Sequence, residues 1–224
     1  MTVSVTVTAL FALDTADRLY PPPIGPARLV STEILDRNGE LLRAFATSDG
    51  LWRLKTTTED VDPALIRMLL AYEDRRFESH AGVDPLALGR AAWQLLTNGR
   101  IVSGASTLSM QVARLIEPRR ERSVTAKLIQ IARALQLERR LSKQQILDLY
   151  LTHAPYGGNL EGVRAASLAW FGKEPKRLTT AEAALLVALP QLPERRRPDR
   201  FPDQALQARA RVLDRAAEAK VLEQ

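Results

Sequence analysis

ALIRMLLAYEDRRF, residues 64–77, decides how this chain is read. Leu65, Met68, Leu69 and Tyr72 recur at three- and four-residue spacing, the period of a helix with one apolar face. The same period returns downstream in PLALGRAAWQLLTNG, STLSMQVARLI, VTAKLIQIARALQLERRL, KQQILDLYL, AEAALLVAL and QALQARARVLDRAAEA. Asp84-Pro85, Ser142 and Thr180 stand where helix starts are expected. Gly82, Gly99, Gly104, Gly157, Gly158 and Gly172 punctuate the connections. After Pro63 the chain is therefore expected to be mainly α.

Upstream the pattern changes. From about Arg28 to Lys55, STEILD and ELLRAF flank Asn38-Gly39, a pair suited to a tight hairpin turn. Asp49-Gly50 supplies a second turn before LWRLK, so a short three-stranded meander is expected. Pro21-Pro22-Pro23 and Pro26 form a stiff spacer. MTVSVTVTALFAL carries no charge before Asp14 and is shorter than the about 20 apolar residues of a spanning helix. It reads as an alternating strand through Val3, Val5 and Val7, or as the outer end of a membrane anchor cut short. The downstream sequence favours the anchor. The expected divisions are an anchor and spacer over 1–27, the meander over 28–56 and a helical domain over 57–224. Arg195-Arg196-Arg197, bracketed by prolines, is expected to be a solvated loop.

The 224 residues suffice for a sizeable core, and 46% hydrophobic against 26% charged residues exclude general disorder. No cysteine is present, which excludes disulfides and thiolate chemistry. Lys and Arg number 32 against 26 acidic residues, a net charge of +6. That excess serves solubility or an anionic partner. No nucleic-acid recognition motif accompanies it.

Three segments carry chemistry. In EDRRFESHAG, residues 73–82, Glu73 and Asp74 end a helix whose preceding Leu69, Leu70, Ala71 and Tyr72 are expected to be largely buried. A glutamate against an apolar wall holds its proton more tightly, which suits acid–base work near neutral pH. Phe77 and His80 follow within two turns. In GASTLSMQVAR, residues 104–114, Gly104, Ser106 and Thr107 open a helix. Such a start is either an ordinary cap or a seat for a phosphate or sugar hydroxyl. Gln111 and Arg114 extend a polar strip along it. In RSVTAKLIQIARALQLERRLSK, Arg122 precedes a long amphipathic helix with Lys127 and Gln130 three apart. That polar side is either a solvated basic face or, with Arg114, a means of neutralising a diphosphate.

Order and spacing say more than any one segment. EDRRFESHAGVDP, GASTLSMQVAR, the AKLIQ helix, LSKQQILDLYL and AEAALLVALPQLP together resemble the successive blocks of glycosyltransferase family 51, the peptidoglycan glycosyltransferases. The likeness runs from about Trp52 to the end. VSGASTLSMQVAR, ALQLERRLSKQQILDLYL and APYGGNLEGVRAAS look most like the penicillin-binding protein 1C subgroup.

The resemblance implies a lysozyme-like helical domain with a small membrane-facing lobe. It also implies polymerisation of lipid II into β-1,4-linked glycan with inversion and release of lipid diphosphate. Glu73 matches the catalytic glutamate, while Asp74, Phe77 and His80 match residues that shape its block. Gly104, Ser106, Thr107 and Gln111 match the second block, on the donor side. Arg114, Arg122 and Lys127 match basic positions associated with the diphosphate, and Gln130 falls in the third block. A divalent cation, Mg or Mn, could share the diphosphate's charge, although no ligand cluster in the sequence demands one. VDPLALGRAAWQLLTNGRIV corresponds to the membrane-facing lobe, where Leu86, Leu88, Trp93, Leu95 and Leu96 beside Arg90 and Arg100 serve either an interface with anionic lipid or plain core packing. The implied partners are lipid II, the growing glycan, the membrane surface and other cell-wall synthases, at the periplasmic face of the bacterial inner membrane.

The chain departs from the family pattern at four positions. Gln130 stands where a second glutamate is usual, and a neutral amide hydrogen-bonds but neither acts as a base nor binds a cation strongly. Ala105, Met110 and Thr152 replace a glycine, a glutamine and an asparagine. No Ser-x-x-Lys and no Lys-Thr-Gly occurs in the 224 residues, so no transpeptidase function is expected. The expected form is a fragment of a bifunctional enzyme, a truncated product or a stand-alone polymerase. Two rival readings share the fold. One is a lysozyme-like hydrolase or lytic transglycosylase using Glu73 as an acid on finished glycan. The other is a non-catalytic scaffold that binds lipid II or a partner synthase, which Gln130 suggests.

Overall fold

Asp62 and Pro63 start the decisive helix. In the computed structural model, the Asp62 side chain accepts a hydrogen bond from the Ala64 N–H, and Pro63 takes the first helical position. Helix α1 (Pro63–Glu73) then buries Leu65, Met68 and Leu69. The structure describes residues 15, 17–24, 30–98, 106–118 and 123–222. Most of the expected anchor, the spacer's Pro26, Gly99, Arg100, Gly104 and Arg122 lie outside the described residues. Among those described, no helix is long and apolar enough to cross a membrane. The chain is mainly α, as expected.

The chain forms two compact units, residues 1–25 with 78–146 and residues 26–77 with 147–224. In the first unit, helix α2 (Pro85–Asn98) is followed by α3 (Leu108–Ile116) and α4 (Val124–Arg140). Asp84 caps α2 by accepting from the Ala87 N–H at 3.0 Å. Helix α3 packs on α4, burying Leu108, Met110, Val112 and Ala113 on one side and Ala134 and Leu137 on the other. Gly82 has φ +97, and a Cβ there would lie 2.7 Å from the Ala134 carbonyl oxygen of α4. Only glycine fits this turn and this approach. Tyr20 and Asp17, next to the proline spacer, are tied to α4. Arg133 donates to the Tyr20 carbonyl at 2.5 Å, and Arg140 pairs with Asp17 at 2.8 Å.

Helix α5 (Lys143–His153) begins in the first unit and ends in the second. Ser142 caps it, accepting from the Gln145 N–H at 3.2 Å. The second unit adds α6 (Val163–Phe171), α7 (Thr180–Ala188) and α8 (Pro202–Glu218). Helix α7 packs on α1, α6 and α8. Its Ala183, Ala184 and Ala188 are buried, as are Ala205, Ala208 and Ala216 of α8; such small side chains let helix backbones approach closely. The cap of α7 is Thr179, one residue before the expected Thr180, in a reciprocal capping box with Glu182.

The meander expected over 28–56 takes a different form. Strands β1 (Thr32–Leu35) and β2 (Leu41–Phe45) pair antiparallel around a turn in which the Asp36 carboxylate accepts from the Asn38 and Glu40 N–H groups. The second turn also forms, closed by Gly50 and Thr47. Beyond it, β3 (Trp52–Arg53) leaves the hairpin. Two further strands, β4 (Pro155–Gly157) and β5 (Leu160–Glu161), complete another sheet in the order β3-β5-β4, with β3 parallel to β5. The cause is Arg53. Its side chain is buried and pairs with Glu161 at 2.6 Å, a partner that no local pattern reveals. Thr152, which replaces the family's asparagine, closes the same region: its hydroxyl donates to the Thr56 carbonyl and accepts from the Thr56 N–H.

Candidate active site

The sequence-predicted residues fall into both units. In the second unit, Glu73 is the last residue of α1 and Asp74 is its C-cap. Asp74 is buried, and its carbonyl accepts from the Phe77 N–H at 3.1 Å, closing the turn after the helix. Phe77 is 1% exposed. Its ring anchors this turn in the core, so the half-buried Glu73 is held at the turn's outer edge.

Sequence reasoning missed the partners of Glu73. Gln191 donates through Nε2 to Glu73 Oε1 at 2.7 Å. The Gln191 Oε1 accepts from the Tyr72 hydroxyl at 3.3 Å and from Arg196 Nη1 at 3.2 Å. Arg196 corrects the expected solvated loop: it is 8% exposed and donates to the Ala188 carbonyl at 2.6 Å. Burial holds its guanidinium below its ordinary value, with Arg211 adding to that effect while Tyr72 and Glu73 oppose it. The neighbouring Arg197 pairs with Asp199 at 2.7 Å, and Arg195 is exposed. The signal was present in LPQLPERRRP, where two closely spaced prolines force the turn, but nothing there marks the central arginine as the buried one.

In the first unit, four sequence blocks converge. The Gly82 N–H donates to His80 Nδ1 at 3.2 Å, and the Gly82 carbonyl accepts from the Thr107 hydroxyl at 2.6 Å. Thr107 is the N-cap of α3, its hydroxyl also accepting from the Met110 N–H. The helix start is thus a cap, with the adjacent Ser106 left for a different use. Ser106 Oγ accepts from Lys127 Nζ at 2.7 Å, and Lys127 also donates to Gln130 Oε1 at 3.1 Å. Gln130 Nε2 donates to the Met110 carbonyl at 2.6 Å. Burial, and then the charge of Arg114, hold the Lys127 ammonium below its ordinary value. Arg114 is exposed near the end of α3, and Gln111 is half-buried one turn earlier. Lys143, from the fourth block, donates to the His80 carbonyl at 2.5 Å and to Glu138 at 2.7 Å. Glu138 also accepts from the Ser109 hydroxyl.

This lattice explains Gln130. Its amide bridges an ammonium and a backbone carbonyl, and only a group with both acceptor and donor can do so. Among the described residues, no group of three or more His, Cys, Asp or Glu is placed to hold a metal ion.

Helix α2 of the first unit shows a different character. Leu86, Trp93 and Leu96 are 69%, 67% and 82% exposed, while Ala87 and Ala91 on its other face are buried. Arg90 is exposed on the same helix.

The described candidate residues thus comprise a helix-end carboxylate in the second unit and a lysine–hydroxyl–amide cluster in the first. The transglycosylase family model matches residues 38–217, and the chain belongs to that family, glycosyltransferase family 51. It is similar to penicillin-binding protein 1C of Escherichia coli (strain K12), 51% identical over 205 residues that cover 90% of this chain and 26% of that protein. It is also similar to penicillin-binding protein 1A of Aquifex aeolicus (strain VF5), 37% identical over 188 residues, 84% of this chain and 26% of that protein. The chain spans about a quarter of the length of these curated relatives. Among solved structures, penicillin-binding protein 1A from Haemophilus influenzae matches with a TM-score of 0.45 at 20% identity, over 86% of this chain and 19% of that one.

Proposed function

We propose that the chain polymerises lipid II, with Glu73 as its base. In this reaction Glu73 takes the proton of the sugar 4-hydroxyl on the incoming lipid II. The freed oxygen attacks the anomeric carbon of the growing glycan. A carbon–oxygen bond forms there while the bond to the lipid diphosphate breaks, so one displacement inverts the centre. Negative charge develops on the departing diphosphate, and the roles of Arg114, Arg122 and Lys127 are to balance it. Ser106, Thr107, Gln111 and Gly104 belong to the donor side in this reading, and Gln130 aims Lys127. Asp74, Phe77 and His80 build the turns on either side of the first block.

What carries the reading is family membership together with the side chains at the family's positions: a carboxylate at a helix end, and a lysine held by a hydroxyl and an amide. A neutral finished glycan would have no use for the basic second and third blocks, which disfavours the hydrolase. The exposed Leu86, Trp93 and Leu96 support a seat on a membrane surface, at the periplasmic face of the inner membrane, where a lipid-linked substrate is met. A divalent cation could add to the charge on the leaving group.

The test is glycan polymerisation from lipid II by the 224-residue chain, with Mg²⁺, with Mn²⁺ and with a chelator, beside the Glu73→Gln variant. Glu73→Gln should lose at least about a thousandfold in rate and keep the wild-type melting temperature. Chain growth by Glu73→Gln at the wild-type rate would sink the assignment of the base. Release of sugar from purified sacculi without growth from lipid II would favour the hydrolase.

A further inference from the structure

We infer that Gln191 is a positioning residue for Glu73, held in its working orientation by Arg196 and Tyr72; the inference rests on Glu73 being the base. Glu73 is the last residue of α1, where the negative end of the helix dipole disfavours a carboxylate. A donor at that point holds the carboxyl group in one rotamer. Gln191 provides it at 2.7 Å.

The orientation of the Gln191 amide follows from its other partners. Arg196 can only donate, so the atom facing it is the amide oxygen. The amide's NH₂ group is then turned to Glu73, and no flip satisfies both neighbours. Arg196 is itself fixed, because it is buried and bonded to the Ala188 carbonyl at the end of α7. Tyr72, on the residue before Glu73, donates to the same amide oxygen. Pro190 and Pro193 set the tight turns on which Gln191 is carried. The position of Glu73 at the end of α1 is thus referred to the end of α7 through two side chains.

Gln191 is exposed, so its bonds add little to stability. Their effect is expected in kcat, where a small misplacement of a base is costly. This separates a positioning role from a structural one. Lipid II polymerisation kinetics and melting temperatures are measured on the full chain for Gln191→Met, Gln191→Glu and Gln191→Lys, with Glu73→Gln alongside. Gln191→Met, similar in length but without a donor, should lower kcat about tenfold with KM nearly unchanged. Gln191→Glu, the same shape with a like charge toward Glu73, should lower it about a hundredfold. Gln191→Lys returns a donor toward Glu73 but offers Arg196 a like charge and no acceptor, so it should recover only part of the loss. Gln191→Met should melt with the wild-type chain.

Wild-type kcat in both Gln191→Met and Gln191→Glu, with Glu73→Gln inactive, would overturn the positioning role and leave the base in place. A rise in KM at constant kcat would overturn it too, by making Gln191 a substrate contact. A fall in melting temperature matching the loss of activity would make the residue structural. Full activity in Glu73→Gln would instead remove the base on which the inference stands.

Discussion

The two halves of EDRRFESHAG serve two different kinds of construction. In the second unit, Glu73 stands at a helix end and is bonded by Gln191, 118 residues away in sequence. In the first unit, His80 and Gly82 are woven into a lattice with Thr107, Lys143 and the backbone of α4. One side holds a carboxyl group by a few side chains near the surface. The other locks a turn through backbone groups, where little can shift without breaking several bonds. The contrast teaches that one continuous motif need not be one structural unit: its carboxylate end and its glycine end answer to different neighbours.

The largest effect that sharpens this contrast is expected at Gly82. An alanine there would combine a strained positive φ with a Cβ 2.7 Å from the Ala134 oxygen. Gly82→Ala should cost about 3 kcal/mol, felt in the first unit. Hydrogen exchange reads this directly: amides of α3 and α4 should lose protection while those of α7 and α8 keep theirs. Equal loss across both units would show that the first unit's lattice is not a separate cooperative element.

A smaller effect concerns the surface of the same unit. Trp93→Ser with Leu96→Ser removes apolar area that is already in water, so stability should change by no more than about 0.5 kcal/mol. Binding of the chain to vesicles of anionic lipid should weaken roughly ten- to a hundredfold. Unchanged binding would refer membrane affinity to some other segment. Helices α1 and α2, the caps Asp84 and Ser142 and the hairpin turn at Asn38-Gly39 were legible in the sequence because their signals are local, whereas the exposed face of α2 was implied only by the family resemblance. The second sheet was not legible, since β3 pairs with β5 and its Arg53 with Glu161, 108 residues away in sequence. Arg196 escaped for the same reason: three successive arginines look alike until packing selects one. Ser106, Lys127 and Gln130 could be singled out by spacing, but not the order in which their hydrogen bonds run.

The smallest expected effect tests why Lys127 is kept where burial and Arg114 oppose its charge. Its affinity for the proton in the folded chain is below the ordinary value of 10.5. Below its folded value, both states carry the proton and the full electrostatic cost of Lys127 opposes folding. Between that value and 10.5, the unfolded chain holds more protons, so stability contributed at this site rises with pH. Comparison with Lys127→Met cancels the other lysines and the pH-independent loss of bonds to Ser106 and Gln130. The stability of the wild-type chain minus that of the variant, from urea unfolding, should therefore increase as pH rises toward 10.5. A flat or falling difference would mean that neither burial nor Arg114 burdens this ammonium. A rising difference, with polymerisation lost in the variant, would mean that the first unit gives up stability at neutral pH to keep a cation facing an anionic substrate.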